Sequence, residues 1–168
     1  GFQAGAAVTT GIRNTIVGGL AADALTSGGR NVSLGYAAHS LDTLGSRSVA
    51  IGYEALGTQN FTTATDNYNI GIGYSAGNVL TTGVKNVLLG GLAGDALTDA
   101  DKNIAIGYLA LSADTLGSKS VAIGNAALGS QNFSTATDSF NVAIGDEAGT
   151  SITTATHNTL IGGLAGDA

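Results

Sequence analysis

Cysteine, proline, methionine and tryptophan are all absent from these 168 residues. Without cysteine the chain forms no disulfide and no thiolate metal site, although that alone fixes no compartment. Charged residues make up only 11% of the chain and apolar residues 43%, the reverse of the balance found in disordered segments. No apolar run approaches the ~20 residues that a membrane helix needs, so no membrane insertion of this segment is expected. Neither heptads nor a secretory signal is visible. Six Lys and Arg against twelve Asp and Glu give a net charge of −6, which argues against nucleic acid, whose binding needs basic surface. The two histidines, His39 and His157, lie far apart, and no His-x-x-x-His or Asp-rich calcium loop is present. No metal, cofactor or catalytic residue is therefore expected, and the chain does not read as an enzyme. Asp146-Glu147 is the one adjacent acidic pair, and it reads as solvated surface.

What is abundant is glycine, 27 residues, and it is periodic. The pattern Asn/Ser, apolar, small, apolar, Gly, any, any, Ala recurs from Asn14, Asn31, Ser48, Asn69, Asn86, Asn103, Ser120, Asn141 and Asn158. The spacing is 17 residues, with 21 in every fourth unit, so that a 72-residue super-repeat spans 14–85 and 86–157, with a partial copy at 158–168. The two full copies are identical at 41 of 72 positions. Tandem repeats of this length point to a solenoid, in which each unit buries its apolar side on its neighbours. The whole of 1–168 reads as one repetitive segment, expected to belong to a longer fibrous protein because both ends fall inside a repeat.

Each unit begins with a short alternating strand such as Val49-Ala50-Ile51. Alternate side chains of a strand share a face. The first and third apolar positions are therefore expected to point into the coil, and the middle position outward. After the strand comes a glycine for a sharp turn, then a tight alanine three residues later, a second apolar contact, and a polar return turn. Two short strands and two turns fit 17 residues. The fold class expected is all-β, a narrow parallel β-solenoid or β-roll about 43 Å long at ~4.8 Å per coil. Asn amides stacked one above another are expected to bond amide to amide along the rod, with Ser48 and Ser120 interrupting the column. Threonine holds no fixed column on this reading, which disfavours an ice-binding array.

The middle position is small or apolar throughout: Ile16, Ala50, Leu88, Ala105, Ala122, Ala143 and Leu160 among others. A continuous apolar strip on a rod marks an interface, so these residues are expected to pack between chains; the alternative is a wider solenoid with a loop folded over them. All six Lys and Arg sit just before the Asn/Ser position, where acids such as Asp23, Asp42, Asp66, Asp95, Asp114 and Asp138 are available as partners. Tyr36, Tyr53, Tyr74 and Tyr108 follow the repeated glycine and would line one edge, suited either to a sugar or protein partner or to packing on a neighbouring chain. In the long units, Phe61 with Tyr68 and Phe133 with Phe140 are expected to pin the extra turn to the rod, and they complete the candidate surface contacts.

At Ser48-Val49-Ala50-Ile51-Gly52-x-x-Ala55 and Ser120-Val121-Ala122-Ile123-Gly124-x-x-Ala127 the chain resembles the head repeats of trimeric autotransporter adhesins, also found in bacteriophage tail-fibre proteins. The resemblance runs through all nine copies. It implies a left-handed β-roll, a homotrimer, and an extracellular location on a virion tail fibre or a bacterial surface. The units here are longer than is common in that family, and no ligand motif of the family is present. The function expected is a structural shaft or head segment of an attachment fibre, with self-association and a cell-surface glycan or protein receptor as partners. The alternative is a self-assembling extracellular filament without a receptor site.

Overall fold

The computed structural model describes residues 1–167. It is an all-β parallel solenoid of about nine turns without a helix among the described residues. Nine three-residue strands stack in register into one parallel sheet: Thr15–Val17 (β1), Val32–Leu34 (β2), Val49–Ile51 (β4), Ile70–Ile72 (β6), Val87–Leu89 (β7), Ile104–Ile106 (β8), Val121–Ile123 (β10), Val142–Ile144 (β12) and Thr159–Ile161 (β13). Each residue pairs with its repeat equivalent, as Val121 does with Ile104 and Val142. The expected second strand of each coil is absent from most coils. Among the described residues it occurs only beside the long turns, as Gly45–Ser46 (β3) with Thr65–Asp66 (β5), and Gly117–Ser118 (β9) with Thr137–Asp138 (β11).

The rest of each coil is turn, and its backbone is unusual. In each coil the residue before the Asn/Ser and the residues two and four after the glycine sit in the left-handed region. The non-glycine ones have φ between +44° and +67°. That conformation disfavours L-residues by about 1 kcal/mol each. It also aims their N–H groups along the rod: Arg30 donates to Ile12 O at 3.0 Å, Ala37 to Gly19 O at 2.9 Å, and His39 to Ala55 O at 3.0 Å. The inter-coil bonds offset the local strain, so the turns are stable only in a stack.

The strand faces are reversed from the expectation above. Ala50, Leu88, Ala105, Ala122 and Ala143 are fully buried inside their own chain, and Ile16 and Leu160 of the same column are half-buried at its two ends. They form the core and not an interchain seam. The β-branched first and third positions point outward instead. The reason is volume. Opposite most middle residues, six positions on, stands a partner of complementary size: Ala50 faces Leu56, Ala105 faces Leu111, and Ala122 faces Leu128, whereas Leu88 faces Gly94 and Leu160 faces Gly166; where both are small, as Gly71 and Gly77, Leu56 and Leu88 of the neighbouring coils fill the space. A Cβ on Gly94 would lie 2.8 Å from Leu88 Cδ2, and one on Gly71 2.7 Å from Leu56 Cγ. The space directly opposite the strand holds at most one large side chain per coil, a second such as Leu97 packing further round the turn, and two branched residues on the strand's inner face would not fit. The repeated alanines from Ala21 to Ala148 are buried in the same narrow space.

The Asn column works mainly through backbone. Each Oδ1 accepts from the N–H of the next Asn or Ser, as Asn86 does from Asn103 N at 2.9 Å. From Asn14 to Asn141 each Nδ2 donates to a carbonyl fourteen residues on, as Asn86 does to Ala100 O at 2.8 Å. Amide-to-amide bonds join Asn86 to Asn69 at 3.3 Å and Asn158 to Asn141 at 3.0 Å. Where serine interrupts the column, the long turn fills the gap. Gln59 bridges Ser48 Oγ at 3.2 Å and Asn69 Nδ2 at 2.8 Å, and Gln131 does the same for Ser120 and Asn141. Threonine does hold a column, contrary to the sequence reading: Thr26, Thr43, Thr81, Thr98 and Thr115 each donate a hydroxyl to a carbonyl of the next coil at 2.8–3.0 Å. The insertion of Asn60 and Asn132 in the 21-residue units obscures that alignment.

Candidate functional site

Three surfaces or clusters bring chemistry together. The first follows from the residue after each repeated glycine. It lies at the start of the turn, where successive coils place it directly above its equivalent. Tyr36 and Tyr53 stack at 5.4 Å between ring centroids and 17° between planes; Tyr53 and Tyr74 stack at 5.4 Å and 14°. All three rings are exposed, at 49%, 44% and 59%. The ladder then stops, because Gly91 occupies the next rung, and Tyr108 stands alone beyond it, its Cδ2 3.4 Å from where a Gly91 Cβ would be. Alongside the ladder runs an open groove of about 290 Å³ lined by Ala37, Ser40, Leu41, Glu54, Gly57, Thr58 and Asn78. Asn78 Nδ2 lies 3.4 Å from Glu54 Oε2. A hydrogen bond to Glu54, and then the charge of that carboxylate, hold the Tyr53 phenol above its ordinary value.

Sequence reasoning named the tyrosines but missed Glu54, Asn78, Ser40 and Thr58. A signal was present. In the second super-repeat the equivalents of Tyr53, Glu54, Tyr74 and Asn78 are Asn125, Ala126, Asp146 and Thr150, whereas the neighbouring core residues Ala55, Leu56 and Ala76 recur as Ala127, Leu128 and Ala148.

The second cluster lies inside the rod. His39 occupies the column that holds Leu111 in the other super-repeat. Its Nδ1 is 3.4 Å from Ser33 Oγ and its Nε2 2.9 Å from Asp42 Oδ2. Gln59 Nε2 lies 2.7 Å from His39 Nε2 and 2.8 Å from Asp42 Oδ2. Asp42 Oδ1 also accepts from Gly45 N and Phe61 N, both at 3.0 Å. Burial alone would push the Asp42 carboxyl up. The bond and charge of His39, with the bonds from Phe61 and Gln59, outweigh it and hold the group below its ordinary value. Serine, histidine and aspartate in this order make up the constellation of a nucleophilic hydrolase, but all three are fully buried, and a substrate has no path to Ser33. The cluster is a buried polar core. In the second copy Ser33 and His39 are replaced together by Ala105 and Leu111, while Asp114 keeps Gly117 N, Phe133 N and Gln131.

The third surface is the cationic edge. Arg47 pairs with Asp66 at 2.6 Å and stands 5.4 Å over the Tyr68 ring; Lys119 pairs with Asp138 and stands 5.0 Å over Phe140. Tyr68 and Phe140 thus lie on the surface, each 46% exposed, whereas Phe61 and Phe133 are buried at the base of the long turn. Asp42 and Asp114 are internal and take no part in this edge. Exposed pairs of this kind contribute little stability. Among the described residues no group of three or more His, Asp or Glu is placed to hold a metal, and no helix is long and apolar enough to cross a membrane. In comparisons with protein-family models, with curated proteins and with solved structures, nothing matches this chain.

Proposed function

We propose that this chain is a non-catalytic structural segment of an extracellular attachment fibre, on a virion tail or a bacterial surface, in which three copies pack side by side. The outward face of the nine-stranded sheet carries the reading. Val32 and Leu34, Val49 and Ile51, Ile70 and Ile72, and their equivalents put two apolar residues on that face in seven coils, and the first and last coils add Val17 and Ile161. Val17, Leu89, Ile144 and Ile161 stand exposed on it, and no charged residue interrupts it. Eight steps of ~4.8 Å make the strip about 38 Å long. Monomers rarely leave so continuous an apolar surface in water.

The occupant favoured is another copy of the same chain. A second rod with the same repeat meets the strip in register at every step, whereas a partner of different period would not. The number three and the outdoor location rest on the resemblance to adhesin and tail-fibre repeats. The test is the mass in solution, by sedimentation equilibrium or native mass spectrometry, of the wild type and of Ile72→Glu/Ile106→Glu. A trimer is expected for the wild type and a folded monomer for the variant, because both side chains point away from the core. A monomeric wild type would sink the proposal, and a mass that climbs steadily with concentration would favour the filament.

A further inference from the structure

We infer that the first super-repeat carries a binding site for a neutral oligosaccharide, formed by the ladder of Tyr36, Tyr53 and Tyr74 and the groove of Glu54 and Asn78 beside it. The inference names a receptor class for the attachment fibre proposed above and rests on that reading.

Two kinds of contact lie side by side here, the rings and a groove whose lining includes Ala37 and Glu54, the residues after Tyr36 and Tyr53. Tyr53 has both faces covered by its neighbours in the stack, so the ladder offers ring edges, hydroxyls and the outer face of Tyr74, an apolar surface with a polar tip that suits the C–H faces and hydroxyls of a sugar. Glu54 and Asn78 present a carboxylate and an amide 3.4 Å apart, and Ser40 and Thr58, which donate their hydroxyls to Gly57 O at 3.2 Å and Asn78 O at 2.7 Å, add acceptor oxygens to the same groove. Carboxylate, amide and hydroxyl together supply the acceptors and donors that adjacent sugar hydroxyls need. At about 290 Å³ the groove is at the lower end of small-ligand clefts, enough for one sugar unit of a longer chain.

The missing rung at Gly91 extends the site. It leaves Tyr74 and Tyr108 two coils apart, about 9.6 Å, with no side chain between them. A flat aromatic ring sandwiched there needs only about 7 Å, two contacts of ~3.5 Å. A puckered sugar ring is thicker and fills the slot better. Charge decides the class of sugar. Glu54 is the charged residue of the groove and no Lys or Arg lines it, on a chain of net charge −6. An acidic glycan would meet like charge, so the ligand is neutral.

The internal repeat supplies a control. The second super-repeat has the same backbone and core but Asn125, Ala126, Asp146 and Thr150 at the equivalent positions. A scaffold role for the ladder would be needed in both copies.

The test uses the whole chain in its native oligomer, with dextran and galactomannan as neutral probes and hyaluronan as the anionic one. Because tryptophan is absent and three of the five tyrosines form the ladder, tyrosine emission reports on it once the signal of Tyr53→Ser/Tyr74→Ser is subtracted, and affinity electrophoresis gives an independent reading. At least one neutral polysaccharide is expected to retard the wild type and change its emission, and hyaluronan is not. Tyr53→Ser/Tyr74→Ser should weaken binding by about tenfold, equivalent to ~1.4 kcal/mol. Asn125→Ser/Asp146→Ser in the second copy should leave it within about twofold, or ~0.4 kcal/mol. No retardation by either neutral polymer, stronger binding of hyaluronan, or wild-type affinity in the ladder variant would each overturn the inference. So would loss of the oligomer in the ladder variant, because the rings would then be an interchain seam. The mass of the same wild-type samples separates the two readings: a trimer that ignores glycans removes this inference alone, and a monomer removes the fibre.

Discussion

Adjacent glycines in one turn give the sharpest test of the fold. Gly90 has φ +137°, and a Cβ built on it would lie 2.4 Å from Gly107 O and 2.7 Å from Gly107 C. Gly91 lacks a positive φ, and its Cβ would meet only the Tyr108 ring at 3.4 Å. Gly90→Ala forces the two coils apart by ~1 Å to reach ordinary contact distance. The bonds from Gly107 N to Leu89 O at 2.8 Å and from Leu109 N to Gly91 O at 3.1 Å would then exceed hydrogen-bonding range. Two lost bonds at about 1 kcal/mol each, with about 2 kcal/mol of backbone strain at a φ that only glycine adopts easily, sum to roughly 4 kcal/mol. Gly91→Ala adds no clash and reduces the freedom of the unfolded chain, a gain of about 0.5 kcal/mol. The two variants should therefore differ by roughly 4–5 kcal/mol. Urea unfolding followed by far-UV circular dichroism at one fixed protein concentration measures this, with hydrogen exchange of the amides from Leu88 to Leu111 to localise it. Equal stability of the two variants would refute the inter-coil clash as the reason for the repeated glycine.

The size rule across the core predicts strong coupling between Leu88 and Gly94. Leu88→Ala should cost about 2–5 kcal/mol through the cavity it leaves, and Gly94→Leu about 1–3 kcal/mol by overpacking; the double variant, which copies Ala105 with Leu111, should recover at least ~2 kcal/mol of their sum, and additive effects would show that the pair does not share space. Asp42 sets an acid limit. Its carboxyl, facing His39, is held below its ordinary value of 3.8, so the unfolded chain binds a proton before the folded chain does. The stability it contributes is complete above pH 3.8 and is lost as pH falls through the lower folded value. Asp42→Asn should be less stable at neutral pH by about 1–3 kcal/mol but flatter below pH 4, and an unchanged acid slope in its urea midpoint would remove Asp42 as the cause.

The sequence by itself determined the periodic part of this protein. Nine units, their 17- and 21-residue lengths and the glycine at each strand end follow from spacing. A parallel stack lets identical units pair in register with each other. The tyrosine edge was legible too, because one residue per coil falls on one line. Tertiary structure decided what spacing leaves open. Alternation places Val49 and Ile51 on one face and Ala50 on the other, but it does not say which face is inside. That depended on the volume enclosed by turns in the left-handed region, which admit at most one large side chain opposite the strand in each coil and so turn the branched residues out. The groove around Glu54 and Asn78 and the buried Ser33, His39 and Asp42 were decided in the same way. Their members lie on different coils, at offsets that no single period marks, and only the stacked rod brings them together.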